Sequence, residues 1–254
     1  LKEEIPKGGR LVVALATPLG DIDPVNMELV EEQEILANVF ETLLATDLEG
    51  NLVPALCEKW EVSDNGTSFS FTLRDHVRFQ NGEPLSAQAV KNSFERSIRV
   101  ARELPPGLAA IRGATELAKG VARDLPAILV HSDFKLEIQL PEPLSIYPAL
   151  LTDYKTGITW SEADEGKTNS ILIGTGQFRL ASYSSDRIVL QRNEKYWRGS
   201  SALLDEVEFR AGLSASEIAS GLRSGSIDVA RDLGAHAAAR DLAVRSQHAD
   251  RAPH

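Results

Sequence analysis

Five histidines, His76, His131, His236, His248 and His254, are scattered along the chain. None stands in an HExxH pair or at another close metal-ligand spacing. The single cysteine, Cys57, follows Leu56 in a structural-looking stretch and reads as a small buried hydrophobe rather than a reactive thiol. No GxSxG elbow, Walker A loop or kinase motif set occurs. Carboxylates are plentiful, 37 Asp and Glu in all, but pairs among them arise by number alone. Catalysis, a metal site and a cofactor are therefore not expected. What remains are segments suited to contact without reaction. Gly174-Thr175-Gly176 would let a backbone approach a ligand closely, or simply make a tight turn. Thr17 to Asp21, with Leu19 at its centre, follows the first predicted strand, at the end where open α/β sheets place ligands; a solvent loop is the plainer reading. Glu28, Glu31, Glu32 and Glu34 suit the N-terminal turn of a helix.

The elements that must position these segments alternate in type. Arg10 to Ala16 is a nearly unbroken apolar run and predicts a strand buried on both faces. Leu36, Val39, Phe40, Leu43 and Leu44 recur at helical spacing and predict a helix over about 30–45. Phe69, Phe71 and Leu73 alternate with polar residues, as do Leu136, Ile138 and Leu140, so each set predicts a half-buried strand. Asn81-Gly82 marks a turn. Ser86 caps a helix running to about Ile98, with Val90, Phe94 and Ile98 on its inner face. Short helices are expected over 113–120 and 144–151. Later strands are expected at 178–180, 187–192, 206–209 and 227–230. Ser214-Ala215-Ser216-Glu217 is a capping box, and Gly225 sits where a helix-ending glycine belongs. The chain beyond Ala235 is rich in alanine and charge, the composition of a loose tail.

The bulk composition narrows the class further. The 254 residues are 43% hydrophobic and 25% charged, ordinary for a soluble globular protein. A net charge of −10 with no basic run is wrong for nucleic acid, which needs clustered cations. No apolar stretch reaches the roughly 18 residues a membrane helix needs. Leu1-Lys2-Glu3-Glu4-Ile5 has no apolar signal core, so any such leader is expected to be absent from this sequence.

A series of local motifs carries a resemblance. In order they are Gly8-Gly9-Arg10-Leu11-Val12-Val13-Ala14, Leu19-Gly20-Asp21-Ile22-Asp23-Pro24, Phe40-Glu41-Thr42-Leu43-Leu44 and the long stretch Pro54 to Arg96. Ile111-Arg112-Gly113-Ala114-Thr115-Glu116, Leu136 to Pro143, Gly174 to Leu180, Asp186 to Trp197 and Leu222 to Ala230 follow. Together they resemble the first half of the family 5 extracellular solute-binding proteins, receptors of ABC importers, whose members are about twice this length. The resemblance implies an α/β fold of the periplasmic-binding-protein type II-like clamshell, first lobe only. Residues 1–48 and 170–235 would form its main mixed-sheet subdomain, 49–169 an inserted β-rich subdomain, and 236–254 a tail or the crossover to a second lobe.

The same resemblance implies a ligand, a partner and a location. The solute would be a small peptide or similar molecule, the partner an ABC permease, and the location periplasmic or extracellular, with lipid anchoring to the outer side of the cytoplasmic membrane as one form. A sensory or regulatory module of a larger signalling protein is the alternative. By carry-over, Glu28, Leu29 and Val30 line the cleft, their backbone pairing with an extended ligand and Glu28 meeting a cationic group. Gly174, Thr175 and Gly176 would face the cleft near the hinge. Tyr154 and Trp160 are expected in the core, with flanking of a side-chain pocket as the other reading. An uncovered sheet edge would offer a place for a homodimer to pair.

Overall fold

The computed structural model describes residues 7–160, 173–199 and 202–231. The expected tail or crossover over 236–254, with His236, His248 and His254, lies outside them. Among the described residues, strands β1 (Arg10–Leu15), β2 (Leu44–Thr46), β3 (Leu52–Pro54), β4 (Cys57–Val62), β5 (Ser68–Leu73), β6 (Ile128–Ser132), β7 (Lys135–Gln139), β8 (Phe178–Ser184), β9 (Arg187–Arg192), β10 (Glu206–Arg210) and β11 (Val229–Arg231) alternate with six α-helices. The helices are α1 (Val30–Leu36), α2 (Ala87–Val100), α3 (Pro106–Ala109), α4 (Ala114–Ala118), α5 (Tyr147–Leu150) and α6 (Ala215–Ser224). Two compact units result, one of Leu1–Leu19, Leu180–Arg192 and Ala202–His254, the other of Gly20–Arg179 and Asn193–Ser201.

The first unit is built on a mixed sheet of order β11-β1-β10-β9-β8, with β1 parallel to both β10 and β11 and β10 antiparallel to β9. Val12 and Ala14 of β1 pack with Ile218 of α6 and with Ile227. Helix α6 starts at the expected capping box, Ser214 Oγ accepting from the Glu217 amide, and stops at Gly225, whose φ of 75° suits glycine. Glu208 on β10 is buried, and Arg10, Arg187 and Arg210 all pair with it. A buried carboxylate of this kind needs such partners to offset its desolvation.

The second unit holds an antiparallel sheet of order β4-β5-β7-β6 and the short pair β2-β3. Phe69, Phe71 and Leu73 of β5 point to the core as their alternation predicts. Helix α2 lays Val90, Phe94 and Ile98 into the same core, at i, i+4 and i+8. Ser86 caps it by accepting from the Ala89 amide. Cys57 is buried, and desolvation pushes its thiol up to about 12, so it stays a neutral hydrophobe. Tyr147 is buried in this core with its ring 5.0 Å from that of Phe69. Its hydroxyl has no partner among the described residues, and burial pushes its pKa above the ordinary tyrosine range, so it stays neutral. Tyr147→Phe removes an unpaired buried hydroxyl and should leave stability unchanged or raise it by up to about 1 kcal/mol. Thermal unfolding of the variant checks this; a loss above about 1 kcal/mol would reject it.

Two expectations are corrected here. The helix predicted over 30–45 ends at Leu36, because the Asn38 side chain donates to the Glu34 carbonyl and the Asn38 and Val39 carbonyls are taken by the amides of Phe178 and Gly176. Leu43 then ends a turn and Leu44 opens β2. The boundary between units falls after Leu19 rather than near 48, because Val25, Leu43 and Leu44 share one core with Phe69 and Phe71.

Candidate functional site

The segment from Gly20 to Val30 is a loop held in shape by one carboxylate. Glu32, 4% exposed, reaches back from the first turn of α1. Its Oε1 accepts from the Gly20 amide at 2.7 Å, and its Oε2 from the amides of Glu28 and Leu29 at 2.9 and 3.1 Å. Both ends of the loop are therefore tied to the same side chain. A Cβ on Gly20 would sit 2.8 Å from that Oε1, which is why a glycine stands there. Between the two ends, Asp23 caps a 3-10 turn at Pro24–Asn26 and pairs with Arg96 of α2 at 2.5 Å.

Asn26 and Arg102 strap this loop to the end of α2. Asn26 donates to the Val100 carbonyl at 3.4 Å and accepts from the Arg102 amide at 2.9 Å. The Arg102 guanidinium bridges Asp21 at 3.0 Å and Glu28 at 3.3 Å. A second 3-10 turn, Tyr154–Thr156, packs on the first. The resulting ridge presents Val30, 60% exposed, with Val100, Tyr154, the Glu28 carboxylate and Arg102. These exposed apolar side chains accompany two carboxylates, of Asp21 and Glu28, joined by one guanidinium. Exposed ion pairs of this kind contribute little stability, so the charges remain available to a ligand.

Glu28, Leu29 and Val30 thus lie on the ridge as neighbours. Glu28 and Val30 are exposed and Leu29 is half-buried. The expected strand-like pairing through their backbone is corrected in one respect. The Glu28 and Leu29 amides are already bound to Glu32, so contact from these residues has to come through side chains and carbonyls. Leu19 is 5% exposed, its amide donating to the Ser185 carbonyl, within the unit of the five-stranded sheet. Gly174, Thr175 and Gly176 are all buried. The Thr175 hydroxyl donates to Glu41 at 2.8 Å, the Gly176 amide donates to the Val39 carbonyl, and Gln80 bonds Gly174 at both its amide and its carbonyl. Close approach of backbone explains these glycines, but the backbone approached is that of Asn38 and Val39.

The residue that sequence reasoning missed is Glu41. The helical spacing around it predicts a helix position; it is instead the acceptor for Thr175, for the Tyr196 hydroxyl at 2.9 Å and for the Trp197 indole N–H at 2.8 Å. Burial, and then this carboxylate, raise the Tyr196 hydroxyl above its ordinary range. Trp197 lies under the Arg198 guanidinium at 4.5 Å and near Arg74 at 5.4 Å. The available signal was the pair Tyr196-Trp197, whose polar tips need an acceptor when half-buried, together with one acidic residue inside the run Phe40 to Leu44. Arg102, Asn26 and Gln80 had no such signal, because their partners lie 41 to 98 positions away in sequence.

One constellation invites comparison with a catalytic site. Ser68 donates to Glu137, and His131 lies 3.1 Å from the other oxygen of that carboxylate. Ser68, then Gln139 and His131, hold the Glu137 carboxyl below its ordinary value. The order is wrong for nucleophile activation, since the imidazole meets the carboxylate and not the hydroxyl. Among the described residues no three His, Cys, Asp or Glu side chains group as metal ligands.

Residues 51–250 match the model of the bacterial extracellular solute-binding proteins, family 5 Middle. The periplasmic oligopeptide-binding protein OppA of Escherichia coli strain K12 is 28% identical over 226 residues, which cover 82% of this chain and 40% of that protein. The nickel-binding periplasmic protein of the same strain is 27% identical over 217 residues, covering 82% of this chain and 39% of the relative. The crystal structure of Haemophilus influenzae OppA in complex with RPPGFSPFR superposes with a TM-score of 0.74 at 20% identity, over 88% of this chain and 46% of that one. The chain therefore spans less than half the length of the curated relatives it matches. These relatives are binding proteins rather than enzymes. With its fold matching the corresponding part of such a receptor and its sequence matching the family model over most of its length, the chain belongs to the bacterial extracellular solute-binding proteins, family 5.

Proposed function

We propose that this chain is part of the solute receptor of an ABC-type import system, located outside the cytoplasmic membrane in the periplasm or extracellularly. It supplies one wall of an interlobe cleft for a peptide or a similar small solute, and an ABC permease is its membrane partner. The observation that carries this reading is the ridge of Glu28, Leu29 and Val30, pinned by Glu32 and strapped by Arg102, within a chain of this family. Val30 and Tyr154 offer apolar contact, and Glu28 an anion for a cationic group, in a loop that needs no reordering to receive a ligand. The named relatives favour a receptor over a sensory module.

Pockets normally bury 70–90% of a small ligand's surface, and one wall cannot do so. Isothermal calorimetry with short peptides should therefore give affinities at least about 100-fold weaker for residues 1–254 alone than for the same chain within its complete reading frame. Submicromolar binding to residues 1–254 alone would refute the one-wall reading. A complete protein that binds no peptide or similar solute would refute the receptor reading. The same proposal includes self-association of residues 1–254 by pairing at the β11 edge of the five-stranded sheet, which has no further strand beside it among the described residues, since such an edge is a template for a second copy. Sedimentation velocity at high concentration should then show dimer, and monomer alone would reject it.

A further inference from the structure

A cleft of about 220 Å³ lies at the N-terminal half of α2, away from the ridge. Its walls include Glu83, Gln88, Asn92, Ser93, Thr159 and Trp160. From Ser93 to Val100 the helix carries the chain about 10 Å, so the cleft and the ridge are separate places on one element. The Trp160 ring is half-buried against the main core, and its backbone is fixed by a bridge to Ile173, with the Trp160 amide donating at 2.8 Å. Trp160 is thus an aromatic lining residue on a fixed backbone. Opposite chemistry comes from α2. Gln88 and Asn92 stand four residues apart on one face, exposed, with Gln88 Nε2 donating to Asn92 Oδ1 at 2.7 Å. That bond orients both amides and leaves the Gln88 oxygen as acceptor and the Asn92 nitrogen as donor. Deeper in, Ser93 and Thr159 are 1% and 2% exposed, and Ser93 Oγ accepts from the Thr159 amide at 2.9 Å.

Size and charge select the ligand class. The volume equals roughly seven waters, below the 300–1,000 Å³ of drug-sized pockets, so the occupant is one small ring and not an oligomer. Among the described residues the lining contains a single carboxylate, Glu83, and no cation, which disfavours anions. An aromatic side chain and neutral donors and acceptors of both kinds lining one cleft match a ring with an apolar face and many hydroxyls. We propose that this cleft is a binding subsite for a single neutral pyranose unit, with Trp160 as the stacking platform and Gln88 and Asn92 as hydroxyl partners. It goes beyond the receptor reading and does not depend on it, because every wall lies within one unit of this chain.

Saturation-transfer NMR on residues 1–254 tests the proposal, with methyl α-D-glucopyranoside, methyl β-D-galactopyranoside and N-acetylglucosamine as probes. At least one should give a saturable signal with a midpoint on the order of 1 mM, as a ligand of this size permits. Trp160→Ala should abolish the signal, and Gln88→Ala and Asn92→Ala should each weaken it at least about fivefold. The last two are exposed helix positions where alanine favours folding, so their effect is not one of unfolding. Glu28→Gln should leave the signal unchanged, which separates this site from the ridge. Chitotriose as a fourth probe distinguishes a free sugar from one unit of a chain: tighter binding than N-acetylglucosamine favours the latter, weaker binding the former. No saturable signal from any probe, or one that survives in all three variants, would overturn the subsite.

Discussion

Gly174→Ala should destabilise the unit formed by Gly20–Arg179 and Asn193–Ser201 by about 3 kcal/mol or more. The new Cβ would stand 2.7 Å from the Val39 carbonyl carbon, closer still to its oxygen, and 2.8 Å from Phe40 Cδ1. Two of those three atoms are backbone, so no side-chain rotation relieves the clash. Moving the Val39 carbonyl also disturbs the bonds it accepts from the Gly176 amide and from Gln80. Gly120→Ala is the control: its φ is 71° but nothing lies within 4 Å of a Cβ there, so only the backbone cost of about 1–2 kcal/mol applies. Urea unfolding followed by circular dichroism compares the two directly. If Gly174→Ala costs no more than Gly120→Ala, the packing account of this loop is wrong and its ligand-facing reading regains ground.

That loop also marks how far the sequence could be read. Local rules were legible wherever partners sit close in sequence. Phe69, Phe71 and Leu73 alternate into the core, Ser86 and Ser214 cap their helices, and Gly225 ends α6. The family was legible because many short motifs recur in order. What local rules could not show is where a polar side chain finds its partner across the chain. Glycines at 174 and 176 declare that some backbone comes close, yet only the fold reveals it to be that of Asn38 and Val39. The helical spacing of Leu36, Val39, Phe40, Leu43 and Leu44 was genuine, but long-range bonds to the 174–178 segment outbid propensity after Leu36. On the ridge, the resemblance points to Glu28 to Val30, while the pinning carboxylate Glu32 has the local sequence of an ordinary acidic first turn.

Glu41→Ala should cost about 3–5 kcal/mol, and Glu41→Gln only about 1 kcal/mol. The Glu41 carboxylate receives the Thr175 hydroxyl and the Trp197 indole on Oε2, and the Tyr196 hydroxyl on Oε1. Alanine leaves three donors without an acceptor in a place where Thr175 is fully buried. Glutamine is different in kind. Its oxygen can take the Oε2 position and accept from Thr175 and Trp197, while its NH₂ faces Tyr196, whose hydroxyl can turn from donor to acceptor. The Arg198 guanidinium, 3.9 Å from Oε1, loses its anion, but it is nearly half exposed and the loss is small. The ordering, alanine far worse than glutamine, therefore tests whether Glu41 acts as a hydrogen-bond acceptor or as a charge. Equal losses for the two variants would mean the charge dominates, through Arg198 and Arg74 around Trp197. A double-mutant cycle with Trp197→Phe, read by urea unfolding, isolates the indole bond; a coupling near zero would remove Trp197 from the network and leave Thr175 and Tyr196 to hold the loop.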